Sequence, residues 1–241
     1  MKHHTLYGAG LALRPALLAP LKSRTPENLQ FLELTPPDWV GIGGSIGKDL
    51  EHFTHQYPSA CLSQSLSLGG PGALDKEVLR DLRVFIEEHH IQVFSEALAW
   101  SADDAPLFIN LPIPSTKAAV TWTADRIAQV QDALGLSIGI RNVTHRIAPT
   151  LIDMNEAEFI SAVVKKAGCN LHLDLHALAA NSLHFGFDPH AFLQALPLGN
   201  VDYVRVGREY PLLGEVLART HRRVARCVDD VKQLSLEAVT C

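Results

Sequence analysis

Polar and apolar side chains alternate from residue 171 to residue 176, in the segment LHLDLH. This period of two is typical of a β-strand, and it places His172, Asp174 and His176 on one face. Imidazole and carboxylate groups at that spacing could bind a metal ion or carry out acid–base chemistry. The same groups could instead hydrogen-bond neighbouring strands and loops, since ligand spacing on one strand is a weak signal. We interpret 181–186 as a loop and Asp188-Pro189 as the start of a helix.

Strands and helices alternate along the chain, so this polar segment is one of several similar units. Ser115-Thr116 and Asn155 each precede a helical pattern as N-caps, and 101–114 is predicted to be a long loop. The pattern lacks a glycine-rich dinucleotide fingerprint, which favours a (β/α)8 TIM-type barrel over a doubly wound sheet. We therefore predict an α/β fold with residues 1–241 in a single TIM-barrel domain. The predicted strands cover 6–13, 31–35, 60–68, 91–98, 137–142, 171–176 and 201–206, with a last helix at 215–232 and an irregular or shortened closing strand at 234–240.

In such a barrel the loops that follow the strands form the functional face. Polar residues at the carboxyl ends of the predicted strands are therefore expected to lie together. Of these, Glu96, Asp174 and His176 are the candidate catalytic residues. The candidate binding-pocket residues are Glu33, Gln64, Glu96, Asn110, Arg141, Asn142, His145, Asp174, His176, Asn181, His184, Arg205 and Arg208.

The composition of the chain argues against several classes of protein. The net charge of −5 argues against a nucleic-acid partner. Four cysteines lie far apart, at Cys61, Cys169, Cys227 and Cys241, so neither a zinc ribbon nor a disulfide framework is expected. The start lacks the apolar core of a signal peptide, and no apolar stretch is long enough to cross a bilayer. These features predict a cytoplasmic protein with no membrane contact.

Eight segments carry a more specific pattern. In order they are GAGLALRP, FLELTPPDWVGIGG, LSQSLSLGG, FSEALAWS, INLPIP, DRIAQVQDALG, NEAEFISAVVKKAGCNLHLDLHALAANSLHFGFDP and ALPLGNVDYVRVGR. Together they resemble the domain-of-unknown-function 692 group, the multinuclear non-haem iron-dependent oxidases. The resemblance implies a TIM-type barrel. It also implies a site where histidines and carboxylates hold two or three iron ions, which activate oxygen to modify cysteine or other residues of a ribosomal peptide.

The chain departs from that family at most of the positions that the resemblance assigns to metal ligands. Leu62 and Ala97 stand where the family has histidines, and Arg141 stands where it has a glutamate. The two histidines of the family's H-L-A-G-H segment correspond to Arg205 and, approximately, Arg208, and His176 replaces an asparagine. The ligand-type residues that remain are Glu33, Glu96, Asn142 and Asp174.

Two functions follow as hypotheses. The first is a pseudoenzyme of the iron-dependent oxidase family, with no cofactor, that binds a peptide or a partner protein such as an active paralogue. The alternative is an enzyme with a reduced site. That site would hold iron or another divalent metal at Asp174, His176 and His184, or would use Glu96 and His176 for acid–base chemistry.

The arginines suggest how a metal-free site would be stabilised. Guanidinium groups do not deprotonate in proteins, so Arg141 and Arg205 could neutralise carboxylates that would otherwise repel one another. We expect the carboxylates of Glu33, Glu96 and Asp174 to approach one another. We also predict that at least one of the two arginines contacts at least one of these acids.

Overall fold

The structure, a computed structural model, describes residues 6–103 and 105–205. Seven strands follow one another as hydrogen-bonded neighbours in the order β1-β2-β3-β4-β7-β8-β9. The pairs β1/β2, β2/β3, β4/β7, β7/β8 and β8/β9 are parallel. The strands are β1 (Ala9–Ala12), β2 (Leu29–Leu34), β3 (Ser59–Ser63), β4 (Ile91–Ala97), β7 (Gly139–Arg141), β8 (Asn170–Asp174) and β9 (Val201–Arg205). The predicted α/β class with buried parallel strands is confirmed.

Helices connect most of these strands. They are α1 (Leu18–Ser23), α2 (Gly44–Gln56), α3 (Lys76–Glu88), α4 (Lys117–Leu134), α5 (Glu156–Ala167), α6 (Leu175–Phe185) and α7 (Pro189–Ala195). Thr116 caps α4 by accepting a hydrogen bond from the backbone N–H of Ala119. Asn155 and Glu158 form a reciprocal capping box at the start of α5. Asp188 caps α7, so the helix starts predicted from these residue types are confirmed.

The described residues group into two compact units. The first contains residues 6–63 and 81–94, and its core includes the fully buried Leu32, Leu34 and Phe53. The second contains residues 64–80 and 95–205, apart from 104, with Ile127, Ile140 and Leu173 in its core. In both units the central strands are buried on both faces, as expected for covered parallel strands, and their buried residues include polar ones such as Glu33, Ser95 and His172.

The segment predicted as a long loop, 101–114, contains an antiparallel ribbon. Its strands are β5 (Trp100–Ala102) and β6 (Pro106–Leu111), paired through Trp100 with Leu111. The hydroxyl of Ser67 also accepts hydrogen bonds from the backbone N–H groups of Ser101 and Ala102. These contacts pair backbone groups of a segment whose residues are half-buried or exposed. The proline-rich sequence did not indicate this pairing.

The segment 175–186 also differs from its prediction. It was expected to be the end of a strand followed by a loop, but β8 ends at Asp174 and α6 begins at Leu175. The Asp174 carboxylate caps this helix, and the left-handed Gly186 ends it with a φ of 73°. His176 therefore lies on a helix, and not on the strand face that carries His172 and Asp174.

Some predicted features lie outside the described residues. These are the last helix at 215–232, the closing strand at 234–240, Arg208, and the cysteines Cys227 and Cys241. Eight-stranded closure of the barrel therefore stays a prediction. Within the described residues, no helix combines the length and apolar character that crossing a bilayer requires.

Candidate functional site

Strand register in the second unit brings polar side chains together at the carboxyl ends of three neighbouring strands. Arg141 of β7 lies opposite His172 of β8, and Asp174 of β8 lies opposite Arg205 of β9. Since side chains two residues apart on a strand share a face, His172 and Asp174 face the same side of the sheet. The parallel register therefore assembles a cluster of Arg141, His172, Asp174 and Arg205, which we call the strand-end cluster.

Asp174 is the acceptor at the centre of the strand-end cluster. Its Oδ2 atom accepts a long hydrogen bond from Nη1 of Arg141 at 3.4 Å, and Nη1 of Arg205 lies 3.8 Å from the same oxygen. The Asp174 side chain is 6% exposed and that of Arg141 is 9% exposed, whereas that of Arg205 is 38% exposed. The predicted arginine–carboxylate contact is confirmed for Asp174, with one buried partner and one that reaches solvent.

The second carboxylate oxygen of Asp174 stabilises the start of helix α6. Oδ1 accepts a hydrogen bond of 2.9 Å from the backbone N–H of Ala177 and so caps helix α6. A carboxylate at a helix N-terminus also meets the favourable end of the helix dipole. Both oxygens of Asp174 are thus engaged, one by guanidinium groups and the other by the helix.

Asn142 holds the backbone of Asp174 in place. Its Nδ2 donates to the Asp174 carbonyl and its Oδ1 accepts from the Asp174 N–H, each at 2.8 Å. The side-chain amide thereby provides the pair of hydrogen bonds that another strand would provide. This contact is fully internal, because Asn142 is 2% exposed. Asn142 is therefore a structural residue of the site.

A second asparagine orders the loop after β7. Asn181 on α6 accepts a hydrogen bond from the backbone N–H of His145 at 3.0 Å and donates one to the carbonyl of Val143 at 2.9 Å. The Nδ1 atom of His145 lies 3.3 Å from the backbone carbonyl of Asn110. Asn110, His145 and Asn181, all predicted as pocket residues, thus form one network that fixes the loop.

Sequence reasoning left a buried histidine, His172, out of the candidate residues. Its Nδ1 atom lies 2.9 Å from Oγ of Ser95, and its ring stacks on Tyr203 with centroids 3.9 Å apart. Burial, together with the guanidinium groups of Arg141 and Arg205, holds the pKa of His172 well below its usual value. His172 is therefore a neutral imidazole at neutral pH. Strand alternation had already placed His172 on the face of Asp174, but it was not carried into the list of candidate pocket residues.

The remaining candidates lie in different surroundings. Glu33, on β2 of the first unit, is buried, and its charge adds to the burial that raises the pKa of the Cys61 thiol. Glu96, on β4, is fully buried, while Gln64 is exposed and accepts a hydrogen bond from Ser101 through its backbone carbonyl. The predicted convergence of the three acids spans both units, and it stays a prediction.

The structure does not bring together Asp174, His176 and His184, the residues of the alternative metal site. Eight residues of α6 separate the two histidines, a rise of about 12 Å, so they cannot reach one ion together. Both are exposed, and Nε2 of His184 lies 3.2 Å from the backbone carbonyl of Arg146. Within the described part of the chain, no group of three or more His, Cys, Asp or Glu residues is arranged to hold a metal ion. The sequence prediction had placed His176 on the strand.

At three of the positions where the resemblance expects metal ligands, the chain has other residues. Leu62 and Ala97, at the two positions where the resemblance expects histidines, are buried side chains without a donor atom. Arg141, at the expected glutamate position, brings a fixed positive charge to Asp174. Leucine and alanine offer iron no ligand atom, and a protonated guanidinium group has no acceptor atom to offer.

A family model described as "RiPP precursor modification enzyme MbnB/TglH/ChrH" matches residues 8–240 of the chain. A UPF0276 protein of Nitrosospira multiformis is 36% identical over 212 residues, which are 88% of this chain and 75% of that protein. A UPF0276 protein of Pseudomonas aeruginosa is 35% identical over 241 residues, covering 100% of this chain and 84% of the relative. The similarity therefore extends across the strand-end cluster and nearly the whole chain.

Solved structures resemble the chain in fold. A D-psicose 3-epimerase aligns with a TM-score of 0.55 and 14% identity, covering 85% of this chain and 73% of the epimerase. A D-allulose 3-epimerase from Methylomonas sp. aligns with a TM-score of 0.56 and 14% identity, covering 88% of this chain and 75% of the epimerase. At this identity the likeness concerns the fold alone, which is TIM-barrel-like.

Proposed function

Because this chain belongs to the MbnB/TglH/ChrH family of RiPP precursor modification enzymes, we propose that it binds a peptide or a partner protein without assembling an iron cluster. RiPPs are ribosomally made peptides that enzymes modify after translation. The observation that carries the proposal is the buried contact between Arg141 and Asp174, with 3.4 Å between Nη1 and Oδ2. It supports a site stabilised by an ion pair in place of a metal.

Electrostatics favours the ion pair over a metal at this position. A cation 4 Å from a guanidinium group is repelled by about 4 kcal/mol per unit charge in an effective dielectric of about 20. The repulsion doubles for a dication. The Asp174 carboxylate offsets little of this repulsion, because its Oδ2 atom already contacts two arginines and its Oδ1 atom caps α6. An ion entering the cluster would have to displace Arg141 from a buried position.

An arginine of the cluster that reaches solvent supports a peptide as the ligand. Arg141 and Arg205 both lie within 4 Å of the Asp174 carboxylate. Arg205 is the member that reaches solvent, with 38% of its side chain exposed. Guanidinium groups bind carboxylates with two parallel hydrogen bonds, which suits an Asp, a Glu or a C-terminal carboxylate of a peptide.

We predict that the purified protein retains fewer than one iron ion per chain after anaerobic loading with ferrous iron and desalting. The measurement is elemental analysis of protein made without a polyhistidine tag. A matched variant carrying Leu62→His, Ala97→His and Arg141→Glu restores the donor atoms that the resemblance assigns, and we expect it to bind more iron than the wild type. Stoichiometric binding of two or more irons by the wild type would overturn the metal-free proposal.

A second prediction concerns peptide binding. A precursor peptide or an iron-oxidase paralogue encoded beside the gene is titrated against the protein by calorimetry. Arg205→Gln should weaken peptide binding about tenfold, since one charge-assisted hydrogen bond contributes about 1.5–3 kcal/mol before solvent screening. Arg83→Gln is the control, because Arg83 is an exposed arginine that pairs with Glu87 on α3.

Two results would count against peptide binding. One is equal peptide affinity in the wild type and in Arg205→Gln, which would show that Arg205 is not part of the peptide-binding surface. The other is turnover of the peptide by the wild type without added metal, which would favour the acid–base alternative at Glu96 and His176. The buried position of Glu96 and the exposed position of His176 do not favour that alternative.

A further inference from the structure

A cavity lies in the second unit, lined by residues between Leu98 and Ala195. Its lining residues do not include those of the strand-end cluster. Its volume of about 560 Å³ falls within the range of small-molecule sites. Most of its wall is aliphatic or aromatic, including Phe159, Phe185, Phe187 and Phe192. The cavity can therefore enclose an apolar body about as large as a substituted aromatic ring.

The ionisable groups that line this cavity are His145, Glu156 and Asp188. Among the lining residues that the structure describes, none is a lysine or an arginine. Asp188 is engaged at the start of α7, where its Oδ1 accepts from the backbone N–H of His190 at 2.9 Å. Glu156, with 30% of its side chain exposed, is the carboxyl group that the cavity presents to a ligand. The charge that the wall can carry is thus negative.

His145 does not neutralise Glu156 at neutral pH. Its Nε2 atom lies 3.7 Å from Oε1 of Glu156, a distance at which a protonated imidazole would form an ion pair. Burial, however, lowers the pKa of His145, although the Asn110 carbonyl opposes this in part. Burial also raises the pKa of Glu156 to about 7. A neutral imidazole therefore faces a carboxyl group that loses its proton near neutral pH.

We propose that this cavity binds an apolar molecule carrying one primary amine, with the ammonium group at the Glu156 carboxylate and the apolar body against the phenylalanines. Charge complementarity selects the amine, because an ammonium group supplies a cation that the described part of the cavity wall lacks. A neutral alcohol of the same shape gains the apolar contacts alone. A carboxylic acid of the same shape would place a second negative charge beside Glu156. The inference does not depend on the proposed function at the strand-end cluster.

The proposal predicts a specific pH dependence of binding. An aliphatic amine stays protonated well above pH 8, since its pKa is near 10. If the ammonium binds the ionised form of Glu156, whose pKa is about 7, the affinity should be about 30-fold lower at pH 5.5 than at pH 8.5. Protonation of His145 at low pH acts in the same direction, because it adds a cation beside the site.

The test uses 4-phenylbutylamine, titrated by calorimetry against the full chain at pH 5.5 and pH 8.5. The matched probes are 4-phenylbutan-1-ol and 4-phenylbutyrate. We expect the amine to bind at least about tenfold more tightly than either at pH 8.5, a difference of about 1.4 kcal/mol. Calorimetry at pH 7 in buffers of different ionisation enthalpy should also detect proton release when the amine binds.

Three variants separate the ammonium contact from the apolar contact. Glu156→Gln should reduce amine affinity to that of the alcohol and remove most of the pH dependence. Ala191→Trp, at an exposed residue that lines the cavity, should block amine and alcohol alike. Asp125→Asn removes an exposed carboxylate on α4 outside the cavity and should change neither.

The proposal is overturned by any of three results. They are no detectable amine binding at millimolar concentration, equal binding of the amine and the alcohol, or unchanged amine affinity in Glu156→Gln with its fold verified by circular dichroism. Loss of the proposed peptide binding would leave these measurements unaffected, because Arg205 does not line the cavity.

Discussion

Replacing Arg141 by leucine should lower the free energy of unfolding by about 3–5 kcal/mol. The guanidinium group is the buried partner of Asp174, whose side chain is only 6% exposed. Removing it leaves a carboxylate in the protein interior with one distant cation, that of Arg205 at 3.8 Å. Urea unfolding followed by circular dichroism gives the difference, provided that the m-value is unchanged.

Arg205→Leu is the matched control for Arg141→Leu. It removes a cation from the same carboxylate oxygen, but 38% of the Arg205 side chain is exposed, so water already screens the contact. We expect a loss of about 0–1 kcal/mol, the range of surface ion pairs. Equal losses in the two variants would show that burial does not distinguish the two arginines. A negligible loss in Arg141→Leu would show that the ion pair does not stabilise the site.

The second large effect that we expect is a decrease in the free energy of unfolding at acid pH, caused by His172. Its pKa is held well below 6.5 in the folded protein, while in the unfolded chain it returns to about 6.5. Below about pH 6.5 the unfolded chain therefore binds a proton that the folded protein does not, and acid favours unfolding. The loss is about 1.4 kcal/mol for each pH unit, and it continues down to the folded-state pKa. Above pH 6.5 this contribution is constant.

The difference between the wild type and His172→Asn isolates this effect from other titrating groups. Asparagine can keep a hydrogen bond to Ser95 but does not titrate, so the wild type should lose more stability than the variant as the pH falls below 6.5, by up to about 1.4 kcal/mol for each pH unit. Glu156 changes stability in the opposite sense, since its raised pKa favours folding at low pH, but it contributes equally to both proteins.

Tyr203→Phe is the control for the histidine experiment. It removes the phenol group, whose oxygen lies 3.5 Å from Oγ of Ser95, and it retains the ring that stacks on His172. Its effect on stability should be the same at each pH between 4.5 and 6.5, because no titrating group near neutrality is lost. A pH-independent difference for His172→Asn would contradict the neutral state of the buried imidazole.

The sequence by itself determined the features that depend on local chemistry. The helix starts at Thr116, Asn155 and Asp188 were predicted because a capping side chain bonds backbone groups two or three residues away. The alternation of strands and helices predicted the α/β class for the same reason, since periodicity is a property of neighbouring residues. The family resemblance was also contained in the sequence, and the match over residues 8–240 supports it at the level of the MbnB/TglH/ChrH family.

The prediction from local chemistry was wrong at the end of β8, because the Asp174 side chain could either belong to a polar strand face or cap a helix. Asp174 looked like one of three polar residues on a strand face, but its Oδ1 caps a helix that begins at the next residue. Ala177, Leu178 and Ala179 are good helix formers, and this signal was outweighed by the alternation that precedes it. His176 therefore lies on α6 and does not share a strand face with Asp174.

Tertiary structure alone decided which distant residues meet. Arg141 reaches Asp174 because β7 and β8 are parallel neighbours with Arg141 opposite His172, and no local pattern fixes the register between strands 33 residues apart. The same holds for His145 and Glu156, whose pKa values move in opposite directions because both groups line one apolar cavity. Burial sets the charge state of these groups, and burial is a property of the packed chain that residue types do not determine.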